Sequence, residues 1–155
     1  MNDKARFIRK RRHARDKAMQ ALYQWQMSDE ELNWIRDMYV EEQGITAGDP
    51  QYFLELLYEI PQNLGSIDSN WRTCTDRSQD QLDPIETSIL RIATWELMSH
   101  PEIPWRAVIN EAVELVKSYG ADDGHKFVNG VLDPLARQLR PLETAARAGK
   151  DDGAR

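Results

Sequence analysis

An all-α fold is expected from this chain, on three grounds. Apolar residues recur at three- and four-residue spacing through most of its 155 residues. Val, Ile and Thr do not gather in alternating runs with hairpin turns between them. Prolines and glycines stand where helices would start and stop. A first helix is expected from about residue 10 to Met27, with Ala14, Ala18, Ala21, Leu22 and Trp25 on one stripe. Ser28 followed by Asp29, Glu30 and Glu31 reads as the N-cap and acidic first turn of a second helix, whose inner face is Leu32, Ile35 and Tyr39. Gly44, Gly48 and the Asp49-Pro50 pair make a loop, and Pro50 suits a first helical position.

The third helix carries Tyr52, Phe53, Leu56, Leu57 and Ile60. Pro61 should end or kink it, since proline lacks an N–H and clashes with the preceding turn. Leu64, Ile67 and Trp71 continue the stripe, so a kinked helix and two short ones are both consistent with the pattern. Residues 72–82 are polar and read as a loop. Asp83, Pro84 and Glu86 then form the strongest start signal in the chain, a capping-box arrangement. Ile85, Ile89, Ile92, Ala93 and Leu97 give the following helix an apolar side, which leaves Glu86 and Arg91 expected to point outward. Pro101 and Pro104 make a turn before a helix with Val108, Ile109, Ala112, Leu115 and Val116, and Gly120 suits its C′ position. Asp122 or Asp123 should cap a last helix holding Phe127, Val128, Val131, Leu132 and Leu135, limited or bent by Pro134. Six or seven helices are therefore expected. The organisation read from the chain is a basic arm over 1–10, a helical domain over 11–140 and a flexible tail over 141–155.

Composition narrows the function. Hydrophobic residues make up 41% and charged residues 30%, an ordinary globular balance. A single cysteine, Cys74, excludes an internal disulfide and a CxxC metal site. No apolar run approaches the ~18 residues of a membrane span, and the basic N-terminus lacks the apolar core of a signal peptide. A cytoplasmic protein is expected, with no membrane partner. No phosphate-binding loop, dinucleotide turn or hydrolase motif is present, and His13, His100 and His125 lack ligand spacing. A non-enzyme without cofactor or metal is therefore expected.

The net charge of −6 conceals an asymmetry. Residues 1–17 hold eight basic and two acidic side chains, whereas 18–155 hold 12 basic and 24 acidic ones. Arg11 and Arg15 stand one helical turn apart and Arg12 lies three residues before Arg15, so a helix here would display a guanidinium cluster suited to phosphate. A solvated charge run, or an arm lying on the acidic body, would have the same composition. His125, Lys126 and Phe127 form a second candidate, in which an exposed ring beside a cation could stack an unpaired base. Phe127 as the first core anchor of its helix fits the spacing equally. Tyr23 lies off the centre of the first stripe and is freer to face a partner than Trp25.

Four stretches carry a resemblance to a known family: RRHARDKAMQALYQWQ (11–26), YFLELLYEI (52–60), IETSILRIATWEL (85–97) and IPWRAVINEAVELVKSYGADDGHKFVNGVLD (103–133). The last is the most distinctive. Together they resemble the NusB family of bacterial transcription antitermination factors, over roughly residues 8–140. The resemblance implies a compact single domain of two packed helical bundles. It implies binding to boxA-like single-stranded RNA of ribosomal RNA leader transcripts, beside a ribosomal small-subunit protein acting as NusE. It also implies a place in the RNA polymerase antitermination complex, with self-association as a further possibility. Carried onto this chain, it makes Arg11, Arg12, Arg15, Tyr23, Arg91, Lys126 and Phe127 RNA-binding candidates, and Glu86 and Asp123 partner-binding ones. Arg91 as a structural ion pair and Asp123 as a helix cap are the competing local readings. Pro61 departs from a helix that is usually continuous in the family, and the stretch after Pro141 is extra. Two other functions stay open: an RNA-binding domain of the kind found at the N-terminus of ribosomal RNA cytosine methyltransferases, and a helical interaction module that never touches RNA. If the charge asymmetry works as the resemblance implies, the isolated acidic protein should bind RNA weakly and a basic partner should strengthen it.

Overall fold

The computed structural model describes residues 2–42 and 44–146. Seven α-helices are assigned within them: α1 (Asp3–Met27), α2 (Leu32–Glu42), α3 (Pro50–Gln62), α4 (Leu64–Trp71), α5 (Pro84–Ser99), α6 (Trp105–Tyr119) and α7 (Gly124–Leu139). Short 3₁₀ turns lie at Ile45–Ala47, Arg72–Cys74 and Gln79–Gln81. Residues 141–146 are helical too, and no strand occurs among the described residues. None of the described helices is long and apolar enough to cross a membrane.

The chain divides into two compact units, Met1–Leu64 and Gly65–Arg155. The division falls beside Pro61. That residue sits in the last turn of α3, where it cannot donate to the carbonyl one turn back. Asn63 then closes the helix, its N–H donating to the carbonyls of Glu59 and Ile60 at 3.0 and 3.2 Å, and α4 starts at once. Of the two arrangements open for this stripe, two helices form.

In the first unit α1 packs on α3 and α2. The basic residues expected as an arm over 1–10 are instead the first turns of α1. Asn2 caps that helix, its side chain accepting from the Ala5 N–H at 2.8 Å. Ala14, Ala18, Ala21 and Leu22 are buried as their spacing requires, and Met19 is buried beside them, whereas Trp25 is only half-buried. Ser28 does not start α2. Its Oγ accepts from the Glu30 N–H in the turn between the helices. Asp49 caps α3 through the Tyr52 N–H, with Pro50 in the first turn. Gly44 has φ 68°, a left-handed conformation that a side chain would strain.

Gly48 is buried, and a Cβ placed there would lie 2.4 Å from Nδ1 and 3.0 Å from Cβ of His13. The whole imidazole would have to move, not only its tip. Gly48→Ala should therefore destabilise the protein by about 1–3 kcal/mol, seen as a lower midpoint in thermal unfolding beside the wild type.

In the second unit α5 packs on both α6 and α7, which pack on each other. Asp83 caps α5 by accepting from the Ile85 N–H at 2.7 Å. From Glu86 to Leu97 only Trp95 escapes full burial, so α5 has no solvent face along its middle turns. The C-terminal end of α5 is held by Arg140. Its buried guanidinium donates to the backbone carbonyls of Glu96, Leu97, His100 and Ile103. Glu143 pairs with Arg140 at 3.1 Å through Oε1 and accepts the Trp105 N–H at 2.8 Å through Oε2, at the start of α6. Thr144 is buried and back-bonds to the Arg140 carbonyl. The expected flexible tail is thus corrected for 141–146, which is helical and anchored by these contacts. The rest of that expectation, 147–155, lies outside the described residues.

Candidate nucleic-acid interface

Each unit brings cations and aromatic rings together. In the first unit, helical geometry sorts the three arginines expected to cluster. Positions 11 and 15 adjoin the buried stripe of α1 and turn toward α3, so their guanidinium groups pack around the buried Tyr52. The Arg11 guanidinium lies 3.8 Å from the Tyr52 ring centre and 4.7 Å from that of Phe7, and its Nε donates to Asp49 at 3.0 Å. Arg15 is 6% exposed and sits 5.7 Å from the same Tyr52 ring. Arg15 as a surface phosphate contact is therefore corrected: it is buried, and Arg11 is already engaged. Arg12 points the other way and is exposed. It shares the exposed surface of α1 with Lys4, Arg6, Arg9 and Lys10. Phe7 and Ile8, unremarked in the sequence, are exposed between these cations, at 51% and 39%. Tyr23 is half-buried further along α1.

In the second unit the candidates separate by depth. Arg91 is 8% exposed and makes a paired contact with Asp68 on α4, Nε to Oδ1 at 3.0 Å and Nη2 to Oδ2 at 2.9 Å. Asp68 Oδ1 also accepts from Trp71 Nε1 at 2.8 Å. The expectation that Arg91 faces RNA is corrected: it is the structural ion pair, its planar fork matched to one carboxylate. Glu86 is corrected likewise. It is 4% exposed, not partner-facing, because α5 is covered on this side as well. Its Oε2 lies 2.5 Å from where a Gly124 Cβ would stand, so the carboxylate occupies the space that glycine leaves at the start of α7. Burial raises its pKa above the usual carboxylate value, nearby Asp83 adds to this, and Arg77 opposes it.

Asp123, Lys126 and Phe127 lie at the surface side of the same helix start. Asp123 stands at the N-cap position of α7, but its side chain makes no capping hydrogen bond, which removes the competing structural role. That carboxylate is 85% exposed and meets Lys126 Nζ at 3.7 Å, a weak pair in solvent. Phe127 is half-buried, while Val128 next to it takes the core position. Arg77, which sequence reasoning passed over, covers the Phe127 ring with its guanidinium 3.8 Å from the ring centre. An open groove of about 530 Å³ runs between segment 73–77 and α7, lined by Cys74, Arg77, Lys126, Phe127 and Gly130 among others. No group of His, Cys, Asp or Glu side chains among the described residues is arranged to hold a metal ion.

Comparison with known proteins agrees with this architecture. The NusB family model matches residues 12–137. The transcription antitermination protein NusB of Pseudomonas fluorescens is 48% identical over 137 residues, covering 88% of this chain and 82% of that one. Its namesake from Hahella chejuensis is 43% identical over 143 residues, covering 92% of this chain and 96% of that protein. A solved structure of T. maritima NusB superposes with a TM-score of 0.71 at 32% identity, covering 83% of this chain and 91% of the other. The family match runs from Arg12 on α1 to Arg137 on α7 and so covers most of the described residues, and the chain belongs to the NusB family.

Proposed function

We propose that this chain is a transcription antitermination protein that binds boxA-like single-stranded RNA of ribosomal RNA leader transcripts. It works beside a ribosomal small-subunit protein in the role of NusE, within the antitermination complex of RNA polymerase. The observation that carries this reading is the exposed cation set Lys4, Arg6, Arg9, Lys10 and Arg12 on one helix of a chain whose net charge is −6. Such a local patch neutralises phosphates while the acidic remainder opposes general binding to nucleic acid. Lys126 and Phe127 add a cation and a ring for an unpaired base. The basic ribosomal protein meets exposed carboxylates such as Asp123. Titration of boxA-like RNA against the protein, alone and with that partner and at several salt concentrations, tests the reading. Binding that is strong for the pair and weak for the protein alone is expected. An interaction module that never touches RNA would bind the partner and show no RNA signal in either arm.

The two fates of the arginines give a sharper check. Arg12→Ala should weaken all RNA sequences similarly and flatten the slope of log affinity against log salt by about one unit. Arg15→Ala should leave that slope unchanged and lower the unfolding midpoint, because it removes a packed, buried side chain. Parallel slopes for Arg12→Ala and the wild type would remove α1 from the RNA surface.

A further inference from the structure

We infer that a polar cleft between α6 and α7 docks an extended peptide segment of a protein partner, its backbone held by Asn110 and Asn129 and one of its carboxylates received by Arg106. The cleft holds about 420 Å³ and is lined by Trp105, Arg106 and Asn110 from α6 and by Asn129 and Asp133 from α7, among others. That is the size of a pocket for a ligand of a few residues. Asn110 and Asn129 are exposed, and neither side chain has a hydrogen-bond partner among the described residues. Each carboxamide offers an N–H and a C=O, the complement of the C=O and N–H of a peptide unit. Trp105 is 3% exposed, and its indole N–H is buried with no hydrogen-bond partner among the described residues. A buried tryptophan N–H usually has one, so an acceptor is missing at this wall of the cleft. The Arg106 guanidinium lies over the indole, 4.7 Å from the ring centre, and its five N–H donors let it keep its present contacts and still take a carboxylate. A carboxylate that draws the guanidinium toward the cleft uncovers the indole N–H for a backbone carbonyl. Asp133 is paired with Arg137 at 3.2 Å and balances the charge of Arg106 within the cleft. A cleft without net positive charge is a poor seat for RNA phosphates, and a basic ribosomal protein gains nothing from Arg106. A peptide with one carboxylate meets a guanidinium and two neutral amides, and its N–H groups find a further acceptor in Asp133. Backbone bonds then supply affinity and the Arg106 contact supplies selectivity.

The probes are two mixtures of N-acetylated, C-amidated hexapeptides, randomised except for one central residue, which is glutamate in the first and lysine in the second. Hexa-adenylate RNA is the third probe. Each is titrated to millimolar concentration into the isotope-labelled intact protein, and the side-chain N–H signals of Trp105, Asn110 and Asn129 are followed by NMR. The glutamate mixture should move all three signals to saturation, and the lysine mixture should bind several-fold more weakly. Arg106→Gln should bring the two mixtures to equal strength. Asn110→Ala and Asn129→Ala, read at the Trp105 indole, should each weaken the glutamate mixture about tenfold. Thermal unfolding beside the wild type checks the fold, which changes at two exposed positions should leave intact. Affinity for boxA-like RNA in the presence of the ribosomal partner should be the same in both asparagine variants as in the wild type, which separates this surface from the RNA-binding one. Cleft signals that stay still with both peptide mixtures would overturn the inference. Signals moved by hexa-adenylate and not by the peptides would overturn it too, making the cleft an RNA site. Peptide binding that survives all three substitutions unchanged would equally remove the cleft from the interaction.

Discussion

Arg140→Ala should be among the most damaging single substitutions in the chain, lowering stability by about 3–5 kcal/mol. The last turn of any helix leaves carbonyls without intrahelical partners. Here the Arg140 guanidinium donates to Glu96, Leu97 and His100 carbonyls at the end of α5 and to the Ile103 carbonyl in the turn that follows. Only 8% of the residue is exposed, so water cannot take over all of these bonds once the side chain is gone. Each buried acceptor left unpaired costs on the order of 1–3 kcal/mol. Glu143 would lose its cation as well, and its other oxygen holds the first N–H of α6. Arg140→Lys should recover little, since an ammonium cannot span four carbonyls from one planar fork. Chemical denaturation with circular dichroism reads the loss directly. A variant that unfolds within about 1 kcal/mol of the wild type would show that α5 does not depend on this clamp.

Local signals in the sequence located most helix ends. Asp83-Pro84 marked the start of α5 and Gly120 the end of α6, since caps and breakers act over a few neighbouring residues. What could not be read was the depth of the charged side chains. Arg91 owes its burial to Asp68, 23 residues away, and Arg15 owes its own to Tyr52 on another helix. Nothing within a turn of either arginine announces those partners. The apolar side of α5 was visible, but its all-round burial depends on packing by other helices, so Glu86 and Arg91 read as outward-facing. Arg140 was within reach. Ala136, Arg140 and Thr144 continue the four-residue spacing of Val128 and Leu132, and all are buried. An arginine and a threonine standing in phase with a core stripe signal a buried polar clamp, whereas composition alone suggested a loose tail. Of the RNA-binding candidates, Arg12 and Lys126 lie exposed, Arg12 within α1 and Lys126 in the first turn of α7. Arg77 lacked any signal, because only the fold brings residues 77 and 127 together.

Charge reversal at Glu86 should unfold the second unit rather than merely weaken a partner contact. From sequence alone Glu86→Lys would cost at most about 1 kcal/mol, the helix-dipole penalty of a cation in the first turn of α5. The structure raises this to about 3–5 kcal/mol, because the residue is 4% exposed and its carboxylate lies against Gly124 at the start of α7. A longer ammonium there is buried without a partner and faces the positive end of α7. The neutral variant has the opposite sign. Burial, with Asp83 adding to it, lifts the folded-state pKa of Glu86 above its unfolded value. In the window between those two values the folded protein holds more protons than the unfolded chain, so stability falls as pH rises through it. Above the window the full cost of the ionised carboxylate remains, reduced by the field of Arg77. Glu86→Gln keeps the shape and removes the ionisation, so at pH 7 it should unfold at the same or a higher temperature than the wild type. Its stability should also lack the wild type's decline on going from about pH 4 to neutral. Thermal unfolding of both variants from pH 4 to 8 checks the pair. If Glu86→Lys melts with the wild type while Glu86→Gln melts well below it at pH 7, the carboxylate is a favourable ionised contact and its depth in the fold does not govern its energy.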